Sequence, residues 1–410
     1  MTCAGALDAV LRRAEAQGWA GPDPYDGLLA PMGRMVVPLG PAARMAFTQA
    51  TLRWPAFRAL VRPPASINPK GLGLFLGAVL AGRDSLGPER AASLGKELLH
   101  RIGALAVREE RRAAWGYPFP WQSRFLWAPA GTPNAVATAT VGWHLLDWAD
   151  HARMPREEES RARELATGAA LFLSERLNHS TAGSRGSAVS YTTGDSSRII
   201  NVSMLVGRLL GRVSRSPAGR PGSCVSPAEA ARMGEQTTRL LQFALSAQRE
   251  DGTWHYAEEA RGSWVDSFHT GFVLEALLDL RAWGWSVPEK TLERGFAAYE
   301  GFFDPDGGAR LFRQTGSPHD AHSAAQGILT YAARASGASE AVRPAARDRA
   351  LQIAGFCLER LWLEGRGYFA YRIEKGRRNE QEYTRWVQAW MALGMSAALA
   401  LGRVPEPAGV

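Results

Sequence analysis

The sequence predicts an all-α fold, and within that class an (α/α)6 toroid of six helical hairpins with a short N-terminal extension. Three observations predict it. Apolar residues recur at helical spacing in segments such as 141–148, 272–280 and 386–393, while strand-like alternation is scarce and short. A glycine-rich turn carrying aromatics returns at 116–121, 186–191, 252–256, 307–312 and 367–371. Measured on Tyr117, Tyr191, Tyr256, Phe312 and Tyr371, the turns lie 74, 65, 56 and 59 residues apart, a length that holds two helices and two connections.

In chain order, the first residues run into an amphipathic segment without the basic and apolar regions of a secretory leader, so the expectation is a cytoplasmic protein. Asp23, Pro24, Tyr25, Asp26 and Gly27 form a turn, and Asn68-Pro-Lys70 opens the helix of a sixth unit. The apolar run 71–82 is shorter than the roughly 20 residues a bilayer span needs, so no integral membrane segment is expected. Residues 248–254 read Q-x3-G-x-W, which resembles the turn of terpene-cyclase-type toroids, where the Gln caps a helix end and the Trp packs beneath it. Residues 214–227, rich in Ser, Pro and Gly, read as a loop. With no compositional shift along the chain, residues 1–404 are expected to form one toroid domain and 405–410 a frayed tail.

The chain is 46% hydrophobic and 21% charged, which excludes a disordered, collagenous or coiled-coil protein. A net charge of +8 invites a nucleic-acid partner. That partner is not expected, because only four of the 48 basic residues are lysine and the arginines are scattered, mostly beside acids. A basic surface still favours acidic substrates or a membrane surface. Three cysteines make no disulfide framework or zinc knuckle. No DxDD, DDxxD, GxGxxG or P-loop is present, and neither a cofactor nor a metal is expected. The oligomeric state is open.

Polar residues gather where helices open: Asn68 and Lys70; Asn134 and Thr138; Arg198 and Asn201; Asp266 and His269; His319, Asp320 and His322; Arg385 and Gln388. Equivalent placement in each unit predicts one cavity with hydrogen-bonding walls. Asp266 and His269, three apart on one helix face, are the leading acid/base pair. His319 or Asp320 would be the second proton carrier, and Asp320 with Asp266 could form the two carboxylates of glycoside cleavage. Trp121, Gln122 and Arg124 lie in an aromatic-proline loop suited to a sugar ring. Trp121 and Trp254 would be stacking surfaces. Arg198 and Arg385, with Arg124 and Arg372 as further candidates, would clamp a carboxylate or phosphate. Tyr25, Asp26, Asn134, Asn201, His255, Tyr256, His322 and Gln326 complete the expected binding set.

Several of these stretches carry a resemblance: P-Y-D-G at 24–27, N-P-K at 68–70, W-Q-S at 121–123, T-P-N at 132–134, D-S-F-H-T-G at 266–271, H-S-A-A-Q at 322–326 and R-W at 385–386. Over nearly the whole chain the pattern resembles bacterial toroid proteins of exopolysaccharide gene clusters, labelled polysaccharide-biosynthesis or prenyltransferase-like. Their fold is similar to that of uronyl hydrolases, sugar 2-epimerases and glucuronyl C5-epimerases. The resemblance implies a cavity for one or two sugar rings in which Asp, His or Tyr residues move protons, with a carbohydrate or acidic glycan as partner. Hydrolase, lyase and epimerase stay open. So do a non-catalytic carrier of a glycan or lipid-linked intermediate, and an isoprenoid-handling enzyme, which would want a cavity lined mainly by apolar aromatics.

Overall fold

The computed structural model describes residues 1–181, 183–216, 222–337 and 339–402. The expected tail 405–410, and residues 217–221 of the expected loop, lie outside the described residues. In chain order the helices are α1 (Cys3–Ala16), α2 (Pro31–Val36), α3 (Pro41–Arg53), α4 (Pro55–Val61), α5 (Pro69–Ala81), α6 (Arg83–Leu86), α7 (Pro88–Ala104), α8 (Ala135–His151), α9 (Arg156–Glu175), α10 (Ile200–Ser214), α11 (Pro227–Ser246), α12 (Ser267–Ala282), α13 (Glu289–Glu300), α14 (Ala321–Gly337), α15 (Arg343–Phe356) and α16 (Ala389–Gly402).

The expected toroid is present. Helices α5, α8, α10, α12, α14 and α16 pack each on the next, and α16 packs back on α5 to close an inner ring. Around it α7, α9, α11, α13 and α15 pack on α5, α8, α10, α12 and α14. The sixth outer position is taken by α1, which packs on α16. The N-terminus is therefore no extension, as the sequence suggested, but the helix that completes the last hairpin. The physical reason is on its face: Ala6, Leu7, Val10, Leu11 and Ala14 are all buried, and a stripe at that spacing needs a partner.

Inner and outer helices differ as two concentric rings require. Helix α5 is buried at every position from Pro69 to Val79, and α16 from Ala389 to Ser396, because both sides of the ring are covered. Helix α7 buries only Ala91, Leu94, Gly95, Leu98, Leu99 and Ile102, one stripe of an amphipathic helix. The rings approach closely at Gly95, where a Cβ would sit 1.9 Å from the Trp148 ring. Short hairpins join the helices at one end, among them Trp121–Gln122 with Trp127–Ala128. A three-stranded sheet adds Arg377–Asn379, Arg372–Glu374 and His319–Asp320 there.

The Q-x3-G-x-W turn is structural, as its resemblance implied. Gln248 Nε2 donates to the Gly252 and Thr291 carbonyls at 3.2 and 2.9 Å. Trp254 Nε1 donates to the Ala244 carbonyl at 2.9 Å, and the ring is buried, so Trp254 is not the stacking surface the sequence suggested. Between α1 and α5 the chain adds α2, α3 and α4, which pack on one another. Arg58 of α4 reaches Asp26 at 2.9 Å, with both side chains buried. That pair holds the three-helix insertion to the toroid. No helix of the described residues is long and apolar enough to cross a membrane.

Candidate active site

A cavity of about 850 Å³ opens at the end where the inner helices begin. The second residue of five of the six inner helices lines it: Lys70, Val136, Asn201, Phe268 and His322. In the sixth unit the equivalent is Arg385, second in the π-helical turn Thr384–Gln388 that leads into α16. Six helix N-termini thus converge on one space. The first N–H of five of them donates to a loop carbonyl, so what they present is the positive end of the helix dipole, which favours an anionic ligand.

The residues before them behave differently. Asn68, Asn134, Asp266 and Asp320 turn back onto their own helices and accept from Lys70, Ala137, His269 and Ser323 backbone N–H groups at 2.9–3.0 Å. These are N-caps. Asn134 and Asp320 therefore do not line the cavity. Burial raises the Asp320 carboxyl to about 6, against the pull of its cap hydrogen bonds and Arg372.

Asp266 has a second task. Its Oδ2 accepts from His269 Nδ1 at 2.6 Å and from Trp264 Nε1 at 3.0 Å, while Oδ1 serves the cap. A carboxylate only accepts, so Nδ1 carries the hydrogen and Nε2 is the free nitrogen of a ring that lines the cavity. Asp266 orients His269 and is not a free proton carrier.

His322 is held otherwise. Its ring lies between Phe268, 4.4 Å away and nearly parallel at 12°, and Trp390 at 4.6 Å. It is 1% exposed, and neither ring nitrogen has a hydrogen-bond partner. Burial first, then Lys70, Arg385 and His269, hold its pKa well below the usual 6.5, so the ring is neutral. Lys70 is perturbed in the same direction by burial and Arg385, with Asp23 opposing. Its Nζ sits 5.3 Å from the Trp390 ring centroid.

Twelve of the 29 lining residues are aromatic, among them Tyr25, Tyr117, Trp121, Tyr191, Tyr256 and Trp264. Tyr256 stacks on Trp264 at 4.4 Å and Trp121 tilts against Tyr191 at 5.0 Å. The polar lining adds Gln122, Asn201, Arg124, Arg372 and Glu374. The insertion roofs the space, with Met45, Gln49, Leu52 and Arg53 of α3 facing in. Arg385 lines the cavity but is bound to Asp23 through two nitrogens, one at 2.8 Å, so its charge is largely answered.

Of the predicted residues, Tyr25, Trp121, Gln122, Arg124, Asn201, Tyr256, His269, His322 and Arg385 line the cavity. The others are used elsewhere. Arg198 is bound to Glu258 and to Ser180 Oγ at 2.7 Å, so it is no anion clamp. His319 shares a 2.7 Å hydrogen bond with Asp304, and His255 is paired with Arg249. Gln326 donates to Glu275 and Thr330 behind the wall, at 2.8 and 3.0 Å. Asp26 is the anchor of Arg58, its carboxyl raised by burial to about 6. Lys70, one of the polar helix openers, lines the cavity as well. Phe268, Phe272, Trp264 and Trp386 line it without being singled out by the sequence, because an aromatic at helical spacing carries no mark of which side it faces. No group of three His, Cys, Asp or Glu among the described residues could hold a metal ion.

The sequence matches no protein-family model and no curated protein. Solved structures are similar in fold. A family 76 α-mannanase of Bacteroides thetaiotaomicron superposes with a TM-score of 0.58 at 12% identity, over 82% of this chain and 87% of its own. A sugar epimerase from a ruminal bacterium gives 0.57 at 9% identity, over 84% and 91%. A family 76 α-1,6-mannanase of Salegentibacter gives 0.53 at 11%, over 82% and 90%; it is an inactive variant with two adjacent aspartates changed to asparagine. At such identities the likeness shows the shared six-hairpin fold.

Proposed function

We propose that the protein is a carbohydrate-active enzyme that inverts a carbon centre of an acidic sugar unit by proton transfer, an epimerase of uronic-acid type. The observation that carries this is the pair of imidazoles at one cavity. His269 is oriented by Asp266, and His322 is neutral and unpartnered. Each ring lies against Phe268, at 4.1 and 4.4 Å between centroids. Inversion at a carbon needs one group to take a proton and another to return one. The carbon must be acidified by an adjacent carbonyl or carboxylate. Arg124 and the positive ends of the inner helices supply positive potential for the charge that develops on that oxygen, while Arg372 is paired with Glu374 at 2.9 Å.

Hydrolysis is less well served. It needs two carboxyl groups flanking the bond, and Glu374 is the one carboxylate side chain in the lining. The Salegentibacter mannanase variant lost activity with its adjacent aspartates, and this sequence has no two adjacent aspartates. Aromatic walls suit sugar faces and isoprenoids alike, and the imidazoles favour the sugar reading.

The test is proton NMR in deuterated water with uronic-acid oligosaccharides. Wild type should move solvent deuterium into the sugar, and His269→Asn should abolish it. Cleavage without deuterium would make the protein a hydrolase. Binding without turnover would make it a carrier, and thermal stabilisation by prenyl diphosphates alone would restore isoprenoid chemistry.

A further inference from the structure

We propose that the α2–α4 insertion seats the protein on an anionic bilayer surface, with the cavity mouth beside the lipid. The inference rests on the surface of the insertion and does not depend on what the cavity holds. Eight large apolar side chains stand exposed among the described residues, and five of them belong to this one short stretch. Met35 is 75% exposed, Leu39 69%, Leu60 67% and Trp54 63%, with Met32 at 43%. A soluble monomer rarely gathers such residues, and the toroid needs none of them for its own core.

Their arrangement is that of an interfacial element. Met32, Met35 and Leu39 follow spacings of three and four through α2 and the 3-10 turn Val37–Leu39, so they share a face. The opposite side is anchored: Gly33 packs on the backbone of Gly27 and Leu28, and α4 buries Arg58 and Val61. Trp54, at the start of α4, is the residue type that settles at the headgroup level.

Charge identifies the occupant. From Gly27 to Arg83 the chain has no Asp or Glu and seven basic residues. Arg58 is spent on Asp26 and Lys70 lies in the cavity. Arg34 and Arg62 remain exposed beside the apolar residues, and Arg53 is exposed at the cavity roof. Exposed apolar side chains interspersed along the chain with arginine, in a stretch without carboxylates, match the acyl and headgroup boundary of an anionic leaflet. The same insertion roofs the cavity through Met45, Gln49, Leu52 and Arg53, and Arg44 lies over the Trp127 ring at 4.0 Å, joining roof to rim.

Flotation of the full chain with vesicles tests this. Equimolar phosphatidylcholine and phosphatidylglycerol vesicles should carry the protein at low salt. Pure phosphatidylcholine vesicles, or high salt, should carry much less. Met35→Ser with Leu39→Ser should lower the partition at least tenfold, and Arg34→Gln with Arg62→Gln about tenfold. Val107→Ser, an exposed apolar residue elsewhere, should change nothing. All these positions are exposed, so unchanged melting checks that folding is intact. Absence of flotation at low salt overturns the proposal, as does partition of both double variants at the wild-type level. A concentration-dependent dimer in the absence of lipid, dissociated by the Met35→Ser and Leu39→Ser pair, would give this face to a second copy of the chain instead.

Discussion

Replacing His322 with phenylalanine separates the cost of that residue from its use. The ring is sandwiched between Phe268 and Trp390, a slot a phenyl ring fills with the same area and stacking. What disappears is a buried polar group without a hydrogen bond, which costs about 1–3 kcal/mol. His322→Phe should therefore stabilise the fold by about that amount near pH 7. Acid should widen the gap. Burial and the surrounding cations hold the folded imidazole well below the usual 6.5, so the unfolded chain takes a proton that the folded chain refuses. Wild-type stability then falls as pH drops below about 6.5, by about 1.4 kcal/mol per unit while the folded ring stays neutral. Near pH 5 the variant should lead by about 3–5 kcal/mol. His144 and His179 are also held low by burial, but they are present in both proteins and cancel. Urea denaturation followed by tryptophan fluorescence at both pH values measures the difference. The same samples should lose deuterium exchange by at least about 10²-fold. A less stable variant, or a gap that does not grow in acid, would refute the reading of His322 as an unpartnered neutral base.

Three further outcomes follow from the packing. Asp266→Asn keeps a good N-cap residue but loses the acceptor that fixes His269; stability should change by about 1 kcal/mol or less, while turnover in the deuterium assay falls roughly 10²–10⁴-fold. Trp254→Ala should cost about 3–5 kcal/mol in urea denaturation and leave the ligand dissociation constant of the remaining folded protein unchanged, because the ring supports a helix end and does not face the cavity. Leu7→Ala should cost about 2–5 kcal/mol, and deletion of residues 1–17 should abolish cooperative melting, since α1 is the outer helix of the sixth hairpin. A dispensable N-terminus would contradict ring closure by α1.

The toroid was legible in the sequence because its signals are local. Helical periodicity, glycine-aromatic turns and the Q-x3-G-x-W corner each report on a dozen residues or fewer. Ring closure was not legible, because the pairing of α1 with α16 joins the two ends of the chain. Nothing within residues 3–16 distinguishes an outer helix from an amphipathic extension. The insertion was hidden for a related reason. Its three helices are short, and only their exposure after folding sets Met35, Leu39 and Trp54 apart from core residues.

The site was half legible, and the error has one register. Polar residues at helix starts are expected to face a common cavity, and Lys70, Asn201, His269, His322 and Arg385 line it, yet an Asp or Asn just before a helix is the residue best able to cap it. Asn134 and Asp320 do so, and Asp266 does so while holding His269. A cap side chain is turned back along the helix axis by the N–H groups it serves. The residue two positions further on carries its Cβ away from that axis, and in this ring it points to the centre. Reading two residues past each cap gives Lys70, Val136, Phe268 and His322 without error. The same offset separates Asp320 from His322: the acid next to the helix start is spent on the cap, and the residue two further on lines the cavity with both ring nitrogens unpartnered.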